Sequence, residues 1–196
     1  PLVKTRASIV SPFADVTGTV RVDETEHDFD GANAILMHIW GTERARKLIW
    51  CYVPAFDEPH VHWGLDFVSV KADRLAPWLT TAVLRRGDEL IADHRPLTML
   101  RGRSEIAYPR FTASCGLNGQ RLHIEARADR DQGASYLYPD PGGTARFVVQ
   151  SDVGSVTCRL QRPGEPELLL RSSTAAVEFH GVEPWDAQQP LAPPPL

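Results

Sequence analysis

The sequence predicts an all-β protein whose strands run antiparallel in a meandering barrel or sandwich. Three observations carry that expectation. Apolar and polar residues alternate with a period of two over several segments, which is the signature of strands because successive side chains point to opposite faces. Turn-forming residues punctuate those segments at spacings of roughly 8–14 residues, giving about ten short strands. Helical periodicity is weak throughout: the best stretch, 73 to 84, contains Pro77 and the pair Thr80 and Thr81, which work against a helix.

Along the chain, Leu48 to Val53 reads Leu-Ile-Trp-Cys-Tyr-Val. It is apolar on both faces, so one face is expected to meet the interior and the other a second surface. From 61 to 69, Val61, Trp63, Leu65 and Phe67 share one face, opposite His60, His62 and Asp66. In 121 to 128, Leu122, Ile124 and Ala126 alternate with polar neighbours. In 155 to 161, Val156, Cys158 and Leu160 do the same. Asn118-Gly119 suits a tight hairpin needing positive φ, and Asp140-Pro141-Gly142-Gly143 a slightly longer one. Further breaks are expected at Asp30-Gly31, Arg86-Gly87-Asp88, Asp152-Val153-Gly154 and Pro163-Gly164.

A chain of 196 residues with 42% hydrophobic content can bury one core. Its 23% charged residues are interspersed and the net charge is only -4, so neither nucleic acid nor an anionic membrane is an expected partner. Apolar runs such as 34 to 39 and 168 to 170 fall far short of the roughly 20 residues a membrane helix needs, so no membrane insertion is expected. The first residue is Pro1 and the opening stretch lacks a secretory pattern, which suggests a fragment or a processed product. Cys51, Cys115 and Cys158 sit in apolar or alternating runs. They are expected to be buried strand residues in a reducing, cytoplasmic setting, with a bridge between two of them the less favoured reading. After Gly181 the composition shifts to Pro, Gln and Ala. Residues 182–196 therefore read as a Pro-rich, disordered tail whose first part Trp185 could anchor.

Phosphate-binding loops, dinucleotide fingerprints, nucleophile elbows and paired CxxC zinc motifs are missing from the sequence, and no cofactor is implied. His60 and His62, spaced by two with Asp66 at the same parity, could in principle hold a metal. A third ligand at a fixed distance is lacking, so a water-facing strand is the expected reading and no metal is assigned. His38 sits in an otherwise apolar segment from Ala34 to Gly41. Burial there would favour its neutral form and suit a proton shuttle, against the plainer alternative of a core histidine satisfied by a carbonyl or by Glu43. Asp66, Asp23, Glu24, Asp28 and Glu43 lie near aromatic residues, and a buried one could act as an acid. Tyr136 and Tyr138 share a parity and could orient a ligand oxygen, or serve only as sheet aromatics.

The segment from Gly18 to Phe56 carries Gly18-Thr19-Val20-Arg21-Val22, Phe29-Asp30-Gly31, His38-Ile39-Trp40-Gly41 and Trp50-Cys51-Tyr52. This series resembles the start of the second barrel in the superfamily of carotenoid hydratases (hydroxyneurosporene synthase), tocopherol cyclases and lipocalin-like Diels–Alderases. Tyr138, Asp140-Pro141 and Gly143, followed by the strand from Arg146 to Val149, resemble its C-terminal part. The resemblance implies an antiparallel lipocalin-like β-barrel over 18–181, a lead-in over 1–17, and a second barrel or a homodimer as partner. It also implies an apolar isoprenoid, polyketide or lipid held in a barrel pocket for cofactor-free hydration, cyclisation or isomerisation. Read with the residue patterns above, His38 or Asp66 would move the proton in such a pocket, with Leu36, Trp40, Trp50, Tyr52, Trp63, Phe67, Tyr136 and Tyr138 around the ligand. Where the family has polar residues before the Trp-Gly pair, this chain has Leu36, Met37 and Ile39. That departure favours the alternative of a non-catalytic carrier, while the two-faced apolar strand from Leu48 to Val53 favours that of an interaction domain packing on a partner barrel.

Overall fold

A computed structural model describes residues 5–58 and 61–185, together with the backbone of 191–192. The fold is all-β and antiparallel, as the alternation requires. In chain order the strands are β1 (Thr5–Val22), β2 (Thr25–Gly41), β3 (Lys47–Val53), β4 (Trp63–Lys71), β5 (Leu79–Arg86) and β6 (Glu89–Ala92). A short helix, α1 (Pro96–Arg101), precedes β7 (Arg103–Ala107), β8 (Arg110–Leu117), β9 (Gln120–Arg127) and β10 (Gly133–Pro139). The chain continues with β11 (Ala145–Gln161), β12 (Leu168–Gly181) and the two-residue β13 (Leu191–Ala192). Among the described residues no helix is long and apolar enough to cross a membrane.

Two sheets result. β1 and β2 pair only with each other and form a long ribbon, the arm. The other strands form an eleven-stranded sheet in the order β6-β5-β4-β3-β12-β11-β9-β8-β7, with β10 continuing along the β11 edge beyond β9. β11 can serve both neighbours because its register shifts between Ser151 and Val156, where Gly154 sits against Val177 and the Arg127 carbonyl. The sheet curls until β7 meets β4 and β5. Ser104 Oγ donates to Ser69 Oγ at 2.8 Å, and Ser69 Oγ shares a 2.7 Å hydrogen bond with Thr80 Oγ1. At this seam side chains join β7, the last strand of the path, to β4 and β5.

The middle of the curled sheet is filled by side chains. Phe67 stacks on Phe111 at 5.6 Å and Phe111 meets Phe179 edge-on at 5.9 Å. Leu65, Leu84, Leu122, Leu160 and Leu170 are fully buried around them. Each such side chain contributes roughly 1.5–3 kcal/mol by leaving water. The three cysteines face this core and are free thiols. Burial raises the pKa of each of them.

Several expectations are met in detail. Asn118 and Gly119 turn between β8 and β9 with φ of 47° and 85°. Asp140 to Gly143 turn between β10 and β11, with Gly143 N–H donating to the Asp140 carbonyl at 2.9 Å. Trp185 packs beside Phe179 at 5.7 Å and Tyr108 at 6.2 Å, anchoring the start of the tail.

Others are corrected. Asp30-Gly31 lies inside β2 and Asp152-Val153-Gly154 inside β11; both accommodate irregularities of register rather than turns. β1 runs straight through residues 17 and 18, so lead-in and first strand are one element. The backbone of 191–192 pairs with β10 rather than forming part of an unstructured tail; residues 186–190 and 193–196 lie outside the described residues.

Candidate functional site

Register decides which residues meet. β3 pairs Cys51 with Phe67 and Tyr52 with Asp66, while β12 pairs Glu178 with Trp50 and His180 with Leu48. Directly paired residues point to the same side of a sheet. Cys51 and Phe67 therefore face the core, and Trp50, Tyr52 and Asp66 face outward with Glu178 and His180. Tyr136 and Tyr138 join them through β11, because Val148 pairs with both Tyr136 and His180. The two tyrosines stack at 6.1 Å, and Tyr138 lies 6.1 Å from His180.

Five of the expected site residues, Trp50, Tyr52, Asp66, Tyr136 and Tyr138, thus share the outer wall of the barrel. Trp63 and Phe67 do not. They are 6% and 0% exposed in the packed core on the opposite face. The expectation that Trp50, Tyr52, Trp63 and Phe67 line one interior is corrected by strand parity, and the interior is packed with side chains. Leu36, His38 and Trp40 stand elsewhere again, on β2 of the arm. Leu36 is 56% and Trp40 43% exposed, and His38 is exposed with its ring 5.0 Å from Trp40. The burial expected for His38 is absent because β2 pairs with β1 and not with the main sheet. His62 is exposed; His60 lies outside the described residues.

The wall is roofed where the arm crosses it. Phe13 stacks on Tyr52 at 5.8 Å, and Tyr52 stacks on Trp50 at 6.2 Å. The Arg85 guanidinium lies 4.6 Å above Phe13, and its Nη1 and Nη2 donate to Asn33 Oδ1 at 3.1 Å and to the Pro54 carbonyl at 2.8 Å. Gly64 makes room for this clasp, since a Cβ there would come within 2.6 Å of Phe13 Cε1. The arm's root is fixed separately. Thr5 Oγ1 donates to the Glu43 carbonyl, and Arg44 Nη1 donates to Asp140 Oδ1 at 2.8 Å. Between that root and the β10–β11 turn lies a cleft of about 280 Å³ lined by Ile39, Trp40, Arg44 and Asp140 among others.

Asp66 is the chemically distinctive member. It is 3% exposed, and its Oδ1 accepts from the Trp50 indole N–H at 2.9 Å. Among the described residues no cation forms an ion pair with it. Burial pushes its pKa up to about 6, partly offset by the Trp50 hydrogen bond. Tyr52 is 7% exposed and its hydroxyl finds no hydrogen-bond partner among the described residues; the same is true of Arg85 Nε. Burial pushes the Tyr52 phenol up to about 12, with Arg85 lowering it and Asp66 raising it further, so the three polar groups sense one another. A carboxyl that titrates near neutrality, set among aromatic rings and two unsatisfied donors, can hold or move a proton next to an apolar molecule.

Sequence reasoning missed Phe13, Asn33, Arg85, Glu178 and His180. Glu178 and His180, hydrogen bonded to each other, alternate with Val177 and Phe179 and could have been found by parity. Phe13 and Arg85 carry no local signal, because their pairing spans distant parts of the chain. Comparison with protein-family models, with curated proteins and with solved structures gives no match.

Proposed function

We propose that this chain binds an apolar small molecule of the isoprenoid, polyketide or lipid kind against the outer wall of Trp50, Tyr52 and Asp66, beneath the arm. There Asp66 moves a proton in a cofactor-free hydration, cyclisation or isomerisation. The observation that carries the reading is the Asp66 carboxyl itself, buried with no ion-pairing cation among the described residues and with its pKa pushed up to about 6 by burial. Structural roles seldom need such a group, whereas general acids and bases do. The short motifs between Gly18 and Phe56 that resemble carotenoid hydratases and tocopherol cyclases support the same chemistry. The interior pocket they imply is filled by side chains, so this reading rests on the outer wall instead.

In a hydration, protonated Asp66 gives its proton to one carbon of a double bond. Water adds to the other carbon, and the proton that water loses returns to Asp66. Tyr52 and Arg85 Nε offer donors to an oxygen of the bound molecule, and the aromatic wall with Phe13 over it excludes bulk water. The arm has to lift at Phe13 for the molecule to enter.

The test is mass spectrometry of small molecules co-purifying with the native protein, followed by turnover of the identified compound. Asp66→Asn keeps an acceptor for Trp50 and should lower turnover by about 10²–10⁴-fold with binding retained. Unchanged turnover in that variant would remove Asp66 from the chemistry. A compound recovered bound but never converted would favour the carrier reading.

A further inference from the structure

The outer half of the arm plays no part in the roof over Asp66. From residue 15 to residue 30 every position is exposed, and β1 and β2 reach roughly 30 Å beyond Phe13 at about 3.3 Å per residue. Register gives this half two unlike faces. Val16 pairs with Ala32, Gly18 with Phe29, Val20 with His27 and Val22 with Thr25. Val16, Val20, Val22 and Phe29 therefore share one face, at 41%, 51%, 55% and 39% exposure. The opposite face brings Thr19 to Asp28 at 2.6 Å and Arg21 opposite Glu26. Between 15 and 30 the sequence carries Asp15, Asp23, Glu24, Glu26, Asp28 and Asp30 against the single cation Arg21. A two-stranded ribbon with an apolar face in water and both edges unpaired is marginal by itself.

The same molecule presents a surface of opposite charge. At the mouth of the barrel, beside the seam of β4 and β7, lies a cleft of about 580 Å³ lined by Arg46, Lys47, Lys71 and Arg74 together with Trp78 and Ile106. Glu105 and Glu183 also line it, so cations outnumber carboxylates two to one. The cleft has what the arm lacks, positive charge beside apolar side chains.

We propose that the arm of one copy enters this cleft of a second copy and that the second arm returns the contact, making a two-fold dimer by reciprocal exchange. The acidic face of the arm meets Arg46, Lys47, Lys71 and Arg74, and the valine and phenylalanine face covers Trp78 and Ile106. Reciprocal contact closes the assembly at two copies. Because the charged partners lie near solvent, salt weakens the association.

Sedimentation of the full chain at about 50 mM and about 500 mM salt reads the assembly state. The expected result is a dimer at low salt that dissociates at high salt. Glu26→Lys with Asp30→Lys on the arm, or Lys71→Glu with Arg74→Glu at the cleft, each yield a monomer with the circular dichroism of the parent chain. Mixing the two variants restores the dimer, because both of its contacts are then complementary. A wild-type chain that stays monomeric, a dimer indifferent to either reversal, or a mixture that stays monomeric overturns the proposal. The last two outcomes would also admit a partner of another kind on the arm.

Discussion

Trp50 and Asp66 sit diagonally across the β3–β4 pair on the outward face of the barrel, the indole N–H donating to the carboxylate at 2.9 Å. One hydrogen bond from a neutral donor does not compensate a buried carboxylate, so the neutral acid is the form the fold prefers.

That preference has a sign in the pH dependence of stability. The folded pKa of Asp66, about 6, stands above its ordinary 3.8. Its stabilising contribution is therefore complete below about pH 4 and is lost as the pH rises through about 6. Urea unfolding of wild type and of Asp66→Asn gives a stability difference that should shift against wild type by about 2–3 kcal/mol between pH 4 and pH 7. A difference that stays flat across that window would show the carboxyl to be solvated.

Gly64 and Phe13 form the clasp that holds the arm. In Gly64→Ala the new methyl meets Phe13 Cε1 at 2.6 Å and the Pro54 carbonyl at 3.0 Å. The expected outcome is a loss of about 1–3 kcal/mol. Hydrogen exchange should show faster exchange confined to residues 11–14 and 32–37, with β9 and β11 unchanged. Uniformly faster exchange would mean that the arm and the barrel unfold as one unit.

Gly102 and Thr80 mark the seam. A Cβ at Gly102 would lie 2.3 Å from Thr80 Cβ, a contact neither side can relieve by rotating a long side chain. Gly102→Ala should cost about 1–3 kcal/mol of stability, and so lower the denaturation midpoint, through displacement of the Ser69, Thr80 and Ser104 hydroxyl chain. An unchanged midpoint would place β7 away from β5 in solution.

The buried thiols of Cys51, Cys115 and Cys158, with pKa values raised by burial, should resist alkylation in the native state and react together once denaturant is added. Mass spectrometry after timed labelling reads this directly. Rapid native labelling of any one of them would place that residue outside the core.

Much of the strand content was legible because alternation is a local property. Leu122, Ile124 and Ala126 in β9, and Val156, Cys158 and Leu160 in β11, announce their strands and share a face, which the structure buries. Asn118-Gly119 and Pro163-Gly164 announce turns because only special backbone conformations fit there. α1 escaped notice because six residues are too few to show a period. The outer wall was half visible. Leu48 to Val53 betrayed a second covered face, but nothing local says that Phe13 covers it.

The sequence by itself determined which side chains share a face, because the pleat fixes a period of two whatever the strand pairs with. Only the tertiary structure decided which face points inward, and that residues 5–41 pair with themselves while the core closes without them. Both depend on partners far along the chain. A strand that is apolar on both faces, such as β3, has its inside and outside assigned only when Phe67, Phe111 and Phe179 fill one side and the arm lies across the other.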